Sequence, residues 1–145
     1  MNRRARGFTL IEVLITILIG VVLTSLAVKG FGQTQSVLAV RQARNVFNGM
    51  VARARAQAIE SGMRTVLVAD AQSDSVTIVG VETVNFGGDM GIDIQSSNTF
   101  TRICMSPRGY ADPSCNSFSS TVQMTFVQGG RSETIEILPL GQIRW

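Results

Sequence analysis

The chain has 145 residues, a formal net charge of +3 and no histidine, which leaves room for one small domain and excludes histidine-based nucleophilic triads. The charge is no argument for nucleic acid: Arg3, Arg4 and Arg6 precede the first apolar run, and the ten remaining basic residues balance ten acidic ones. The 45% hydrophobic content comes partly from that run and overstates how apolar the rest of the chain is.

From Phe8 to Val28, 21 consecutive residues carry one formal charge, Glu12. A helix of that length covers roughly the 30 Å hydrocarbon core of a bilayer, so the stretch reads as a membrane span. The three arginines before it keep the N-terminus cytoplasmic and send residue 30 onward across the inner membrane. Glu12 is the odd member, because a carboxylate inside an apolar span costs about 2.5 kcal/mol or more unless it is neutralised or paired. Two other readings of the stretch stay open: a secretory signal peptide cut after Ala27, leaving a soluble exported chain, and a plain single-pass anchor with an incidental glutamate. The charge at Glu12 and a helical pattern that continues past Ala27 argue against the first.

The string Gly7-Phe8-Thr9-Leu10-Ile11-Glu12, set between a basic leader and an apolar helix, resembles the type III signal of type IV pilins and pseudopilins. The resemblance implies a leader at residues 1–7, cut between Gly7 and Phe8 by a prepilin peptidase that also methylates the new N-terminal amine. It places Glu12 fifth in the mature chain. It also implies a partner for that carboxylate, the N-terminal ammonium of a neighbouring subunit during assembly.

After a span at residues 8–29, Lys29-Gly30-Phe31-Gly32 marks the exit from the bilayer, and the two glycines predict a loosened helix there. Many pilins carry a proline where this chain has Lys29, so a proline-linked kink does not carry over. An amphipathic continuation then occupies residues 30–62. Val40, Phe47, Val51, Ala54 and Ala58 fall within about 60° of one another, and Ala43 and Met50 widen the stripe. Arg41, Arg44 and Arg55 flank it, Arg53 points elsewhere, and Gly62 follows as a C′ residue. Together the two segments predict one helix of about 54 residues, near 80 Å if continuous.

Residues 63–145 read as an exported β domain. Thr65 to Ala69 and Ser75 to Val79 form a hairpin around a polar loop at residues 70–74, and Thr83 to Phe86, Ile92 to Ile94 and Thr99 to Met105 are further strand candidates. The clearest hairpin is the last. Val122, Met124 and Phe126 alternate with Gln123 and Thr125, Gln128-Gly129-Gly130-Arg131 turns the chain, and Ile135 and Ile137 flank Glu136. Cys104 and Cys115 read as a disulfide in an oxidising periplasm, worth about 3 kcal/mol, with two buried thiols as the other reading. Asp70, Asp74, Asp89, Asp93 and Asp112 lack EF-hand spacing and read as solvated turn carboxylates. No metal, cofactor or catalytic residue is expected.

Ala54-Arg55, Ala58-Ile59, Gly62 and Val66, then Pro107-Arg108-Gly109 and Gly141-x-x-Arg144, are similar to the GspH/FimT branch of minor pilins and pseudopilins. The resemblance implies an α+β type IV pilin fold, a long N-terminal helix packed on an antiparallel sheet. Its expected place is the inner membrane, single-pass with a periplasmic C-terminal domain, then a pilus or pseudopilus. Its expected partners are the peptidase and other pilins, and its role is to initiate or cap the filament of a pilus or type II secretion system. Some members of this branch bind duplex DNA during natural transformation through a C-terminal Gly-Arg-x-Arg motif. Here Gly141-Gln142-Ile143-Arg144 lacks the first arginine, and Arg131, Arg108 and Arg102 are the cations that could compensate. Trp145 could stack on a base or cover a sheet edge.

Overall fold

The computed structural model describes residues 9–145, without the side chains of residues 26–33. The chain forms two compact units, residues 1–35 and 36–145. Helix α1 runs from Leu10 to Ser61. Its helical backbone passes unbroken through residues 29–32, where the glycines had predicted loosening. A helix interior tolerates glycine at about 1 kcal/mol each relative to alanine, and no proline is present to break the hydrogen-bond ladder. The helix stops at Gly62, whose φ of 65° a side-chain-bearing residue would adopt only with strain.

The second unit holds the core. Along α1 the whole stripe of Val40, Ala43, Phe47, Met50, Val51, Ala54 and Ala58 is buried. Eight strands follow, all antiparallel, and they make two four-stranded sheets rather than the single sheet that the strand pattern suggests. In the first, β1 (Thr65–Asp70), β2 (Ser75–Ile78), β3 (Glu82–Asn85) and β5 (Phe100–Met105) stand in the order β3-β2-β1-β5. In the second, β4 (Asp93–Ser96), β6 (Val122–Gln128), β7 (Arg131–Ile137) and β8 (Ile143–Arg144) stand in the order β4-β6-β7-β8. Strands β1 and β6 bury alternate residues, Leu67 and Ala69 on the one and Val122, Met124 and Phe126 on the other, as a two-residue repeat demands.

A short helix, α2 (Phe86–Met90), carries the chain from β3 of the first sheet to β4 of the second. It corrects the expectation of a strand ending at Phe86. The Asn85 side chain accepts a hydrogen bond from the Gly88 N–H and caps the helix, while Gly91 turns out of it in the left-handed conformation. Phe86, fully buried, stacks on Phe126 with ring centroids 5.7 Å apart, and Phe47 of α1 meets the same ring at 5.9 Å. One phenylalanine thus ties the helix, the crossover and the second sheet together.

Asp74 does more than the solvated turn carboxylate expected of it. Its backbone has φ 48°, its carbonyl accepts from Phe86 and Gly87 N–H, and its Oδ1 accepts from Ile94 N–H at 2.7 Å. The β1–β2 turn therefore holds both ends of the crossover, which satisfies an edge donor of β4 that no strand pairs.

Candidate functional site

The first candidate site is the start of α1. Thr9 precedes the helix, and its Oγ1 and carbonyl accept from the Glu12 N–H at 3.3 and 3.0 Å. Thr9 and Glu12 thus stand at the first and last positions of a capping-box spacing, which fixes the helix start next to the carboxylate. Every described side chain from 9 to 25 is exposed, with Leu10 at 84%. Leu10, Ile11, Leu14, Ile15, Leu18 and Val21 are among them, so apolar surface is uncovered all round the helix rather than along one stripe. The hydroxyls of Thr16, Thr24 and Ser25 turn back onto the carbonyls of Val13, Gly20 and Val22 at 2.7–2.8 Å, so these polar groups are satisfied without water. Glu12 is the one ionisable side chain in this stretch. Among the described residues no helix is long and apolar enough to cross a membrane. The side chains described before residue 26 cover 17 residues. Gly7 and Phe8, the expected processing site, lie outside the described residues.

The second candidate site gathers around Arg55, half-buried on α1. Its Nη2 donates to the Gly141 carbonyl at 3.1 Å. Gly141 has φ 78°, and a Cβ there would stand 2.8 Å from that of Ala111 and 3.1 Å from Met105 Cε, so only glycine fits the turn into β8. A Cβ on Gly109 would meet Ile59 Cδ1 at 3.2 Å and Arg55 Cγ at 4.0 Å. Four residues that the sequence scatters, Arg55, Ile59, Gly109 and Gly141, therefore share one neighbourhood. An open groove of about 340 Å³ adjoins it, lined by Asn48, Val51, Arg55, Gln142, Ile143 and Trp145 among others. Trp145 is largely exposed, and the Arg44 guanidinium sits 5.7 Å from its ring centroid.

The arginines considered for DNA are dispersed. Arg144 pairs in register with Glu136, whose neighbours Ile135 and Ile137 face the core, so Arg144 lies on the outer face of the second sheet beside a carboxylate-bearing position. Arg131 is five residues from Glu136 on the same strand and belongs to the opposite face. Arg102 is exposed on the outer face of the first sheet, its Nε donating to the Cys115 carbonyl at 3.2 Å. Arg108 sits in the loop after β5 and contacts the Tyr110 hydroxyl at 3.4 Å. On the helix, Arg41 and Arg44 are held by Glu133, with Arg44 Nη1 at 2.9 Å from its Oε2.

Cys104 and Cys115 form a disulfide with Cα atoms 5.8 Å apart. It pins the loop that carries Asp112, and that loop buries Cys104 on what would otherwise be an outward position of β5. The Asp112 carboxyl is pulled below its ordinary value of 3.8 by the Ser114 hydroxyl first, then by the Ser114 N–H and the Arg64 guanidinium. Asp70 is lowered likewise by the Ser73 hydroxyl and the Gln72 N–H. A carboxyl with a depressed folded-state pKa adds stability above its unfolded value, and that stability is lost as pH falls through the folded one. Thermal unfolding should therefore be flat near neutrality and fall below pH 3.8. In Asp112→Asn that acid slope should be shallower, and an unchanged slope would remove Asp112 as its source.

The chain matches the model of the prokaryotic N-terminal methylation motif over residues 2–28. Comparison with curated proteins and with solved structures gives no match. The matched motif takes in Arg3, Arg4, Arg6 and Glu12 and ends within α1, and the same helix continues into an α+β domain of antiparallel sheets. That motif on that fold supports a type IV pilin-like protein of pilus or pseudopilus assembly.

Proposed function

We propose that this chain is a minor pilin or pseudopilin of the GspH/FimT type, a structural subunit that helps initiate or cap its filament. It enters the inner membrane as a prepilin with a leader at residues 1–7 and a span at residues 8–29. Residues 30–62 continue the helix, and residues 63–145 form the periplasmic domain. The observation that carries the reading is the uncovered apolar start of α1, which contains a single carboxylate. Exposed apolar surface on all sides requires lipid or other apolar helices around it, and a lone carboxylate there requires a cation. A neighbour's N-terminal ammonium meets the second need, and bundling with other pilins meets the first. Support for the GspH/FimT branch comes from the convergence of Arg55, Ile59, Gly109 and Gly141, all belonging to the motifs that suggested it.

On this reading the C-terminal motif serves the fold rather than DNA capture. Arg144 and Arg131 belong to opposite sheet faces, and Gly141 is occupied as a tight turn whose carbonyl Arg55 holds. Both observations favour a structural role for the C-terminal motif.

Processing tests the reading directly. Coexpressed with a prepilin peptidase, the full chain should lose residues 1–7 and gain the mass of one methyl group on Phe8. Mass spectrometry of the intact protein reads both changes. A chain cut after Ala27, or left uncut, would overturn the proposal.

A further inference from the structure

Four arginines leave the second half of α1, and three of them meet a carboxylate. Arg41 and Arg44 share Glu133, and Arg53 pairs with Glu82. Arg55 is the exception: among the described residues no carboxylate stands within ion-pair distance of it. Its Nη2 is used on Gly141, but its Nε is buried and has no acceptor. A guanidinium is always charged, and burying part of it without a counter-charge is costly. A second orphan lies seven residues earlier on the same helix. Asn48 Oδ1 is buried and has no donor. Both residues line the groove of about 340 Å³, whose walls include Val51, Ile143 and the Trp145 indole.

We propose that this groove binds a peptide segment carrying an acidic side chain next to an apolar one. The carboxylate accepts from Arg55 Nε–H, a backbone N–H of the same segment donates to Asn48 Oδ1, and the apolar side chain lies on Val51, Ile143 and Trp145. Charge decides the first contact, because Arg55 is the helix arginine left without an acid. A phosphate would call for further cations, and the nearby Arg44 is already committed to Glu133. Hydrogen-bond polarity decides between a peptide and a free carboxylate. An ionised carboxylate only accepts, so it serves Arg55 Nε–H but not Asn48 Oδ1, whereas a peptide also brings N–H donors. This inference is independent of Glu12 and of the processing motif.

The test uses the full-length chain in detergent micelles at low salt, with the Arg55 Nε–H and Trp145 indole N–H resonances as reporters. The probes are N-acetyl-Asp-Leu-amide, N-acetyl-Asn-Leu-amide and sodium acetate. The acidic dipeptide should shift both resonances saturably and bind at least about tenfold more tightly than its amide counterpart, since the bond to Arg55 is charge-assisted. Asn48→Ala should weaken the acidic dipeptide several-fold while leaving the spectrum of the core unchanged, because the native Asn48 Oδ1 makes no hydrogen bond. Equal binding of the two dipeptides would overturn the charge assignment. Acetate binding as tightly as the acidic dipeptide would overturn the peptide assignment. Absence of any saturable shift would mean that water alone serves the two orphaned atoms, and the site would fall.

Discussion

Glu12→Ala should be processed and retained in the membrane like the unaltered chain, yet enter filaments about 100-fold less. The helix start does not depend on the carboxylate, because the bonds there run from the Glu12 N–H to Thr9 Oγ1 and carbonyl, both kept in alanine. On the proposed assembly role, what is lost is the partner of a neighbour's ammonium. Removing one member of a desolvated ion pair costs about 3 kcal/mol or more. At about 1.4 kcal/mol per factor of ten, that is two decades in an assembly equilibrium. In the unassembled subunit the same change removes a carboxylate that the bilayer disfavours, so the monomer is stabilised in lipid while the filament is weakened. Glu12→Gln separates charge from polarity and should assemble nearly as poorly as alanine. The measurement is the ratio of subunit in sheared or purified filaments to subunit in membranes, with the processed mass checked in each. A Glu12→Ala chain found in filaments at the unaltered level would remove the ion pair from the mechanism.

How much of this was legible in the sequence depended on whether the deciding contacts were local. The buried stripe from Val40 to Ala58 was, because a 3.6-residue period can be read in one dimension. So was the last hairpin, whose alternation from Val122 to Phe126 and from Ile135 to Ile137 matches the buried faces. The two cysteines admit only one intrachain pairing. Helix α2 was missed because five residues with two glycines carry no period, and its only local signs were Asn85 as a cap and Gly91 as a stop. Strand β8 is two residues long and shows no alternation. The division into two sheets was hidden for a different reason. At the crossover between the sheets Asp74 accepts from the Ile94 N–H, 20 residues away, and nothing local to a turn aspartate names its donor.

The site followed the same rule. Glu12 stood out from the residues around it, since a lone charge in an apolar run is a local anomaly. Arg55 and Gly141 are 86 residues apart, and their meeting could not be read from either. In the sequence Arg131 reads as a cation that could compensate beside Arg144 for the missing arginine. Strand register separates them, because one pairs out of the turn with Gln128 and the other stands beside Glu136.

Phe126→Ala should destabilise the domain of residues 36–145 by about 3–5 kcal/mol, the usual loss for a fully buried phenylalanine that leaves a cavity behind. The case for the upper part of that range is geometric. The Phe126 ring touches Phe47 on α1 and Phe86 on α2, and these come from separate elements that cannot all collapse into the space left behind. Its own strand is fixed on both sides, paired with β4 at Ile94 and with β7 at Glu133, so the backbone cannot shift inward to fill the gap. Domains of this size are stable by only about 5–15 kcal/mol, so the variant should approach the edge of folding at physiological temperature. Urea unfolding of the full chain in detergent, followed by the fluorescence of Trp145, reads the change as a lower midpoint with an unaltered slope. Val79→Ala on the exposed β2–β3 turn is the control and should stay within about 0.5 kcal/mol of the unaltered chain. A loss below about 1 kcal/mol for Phe126→Ala would mean that the three rings can repack without it. The second sheet would then be held to α1 chiefly by contacts such as Arg44 to Glu133 and Arg55 to Gly141, and breaking those pairs should cost more than emptying the core.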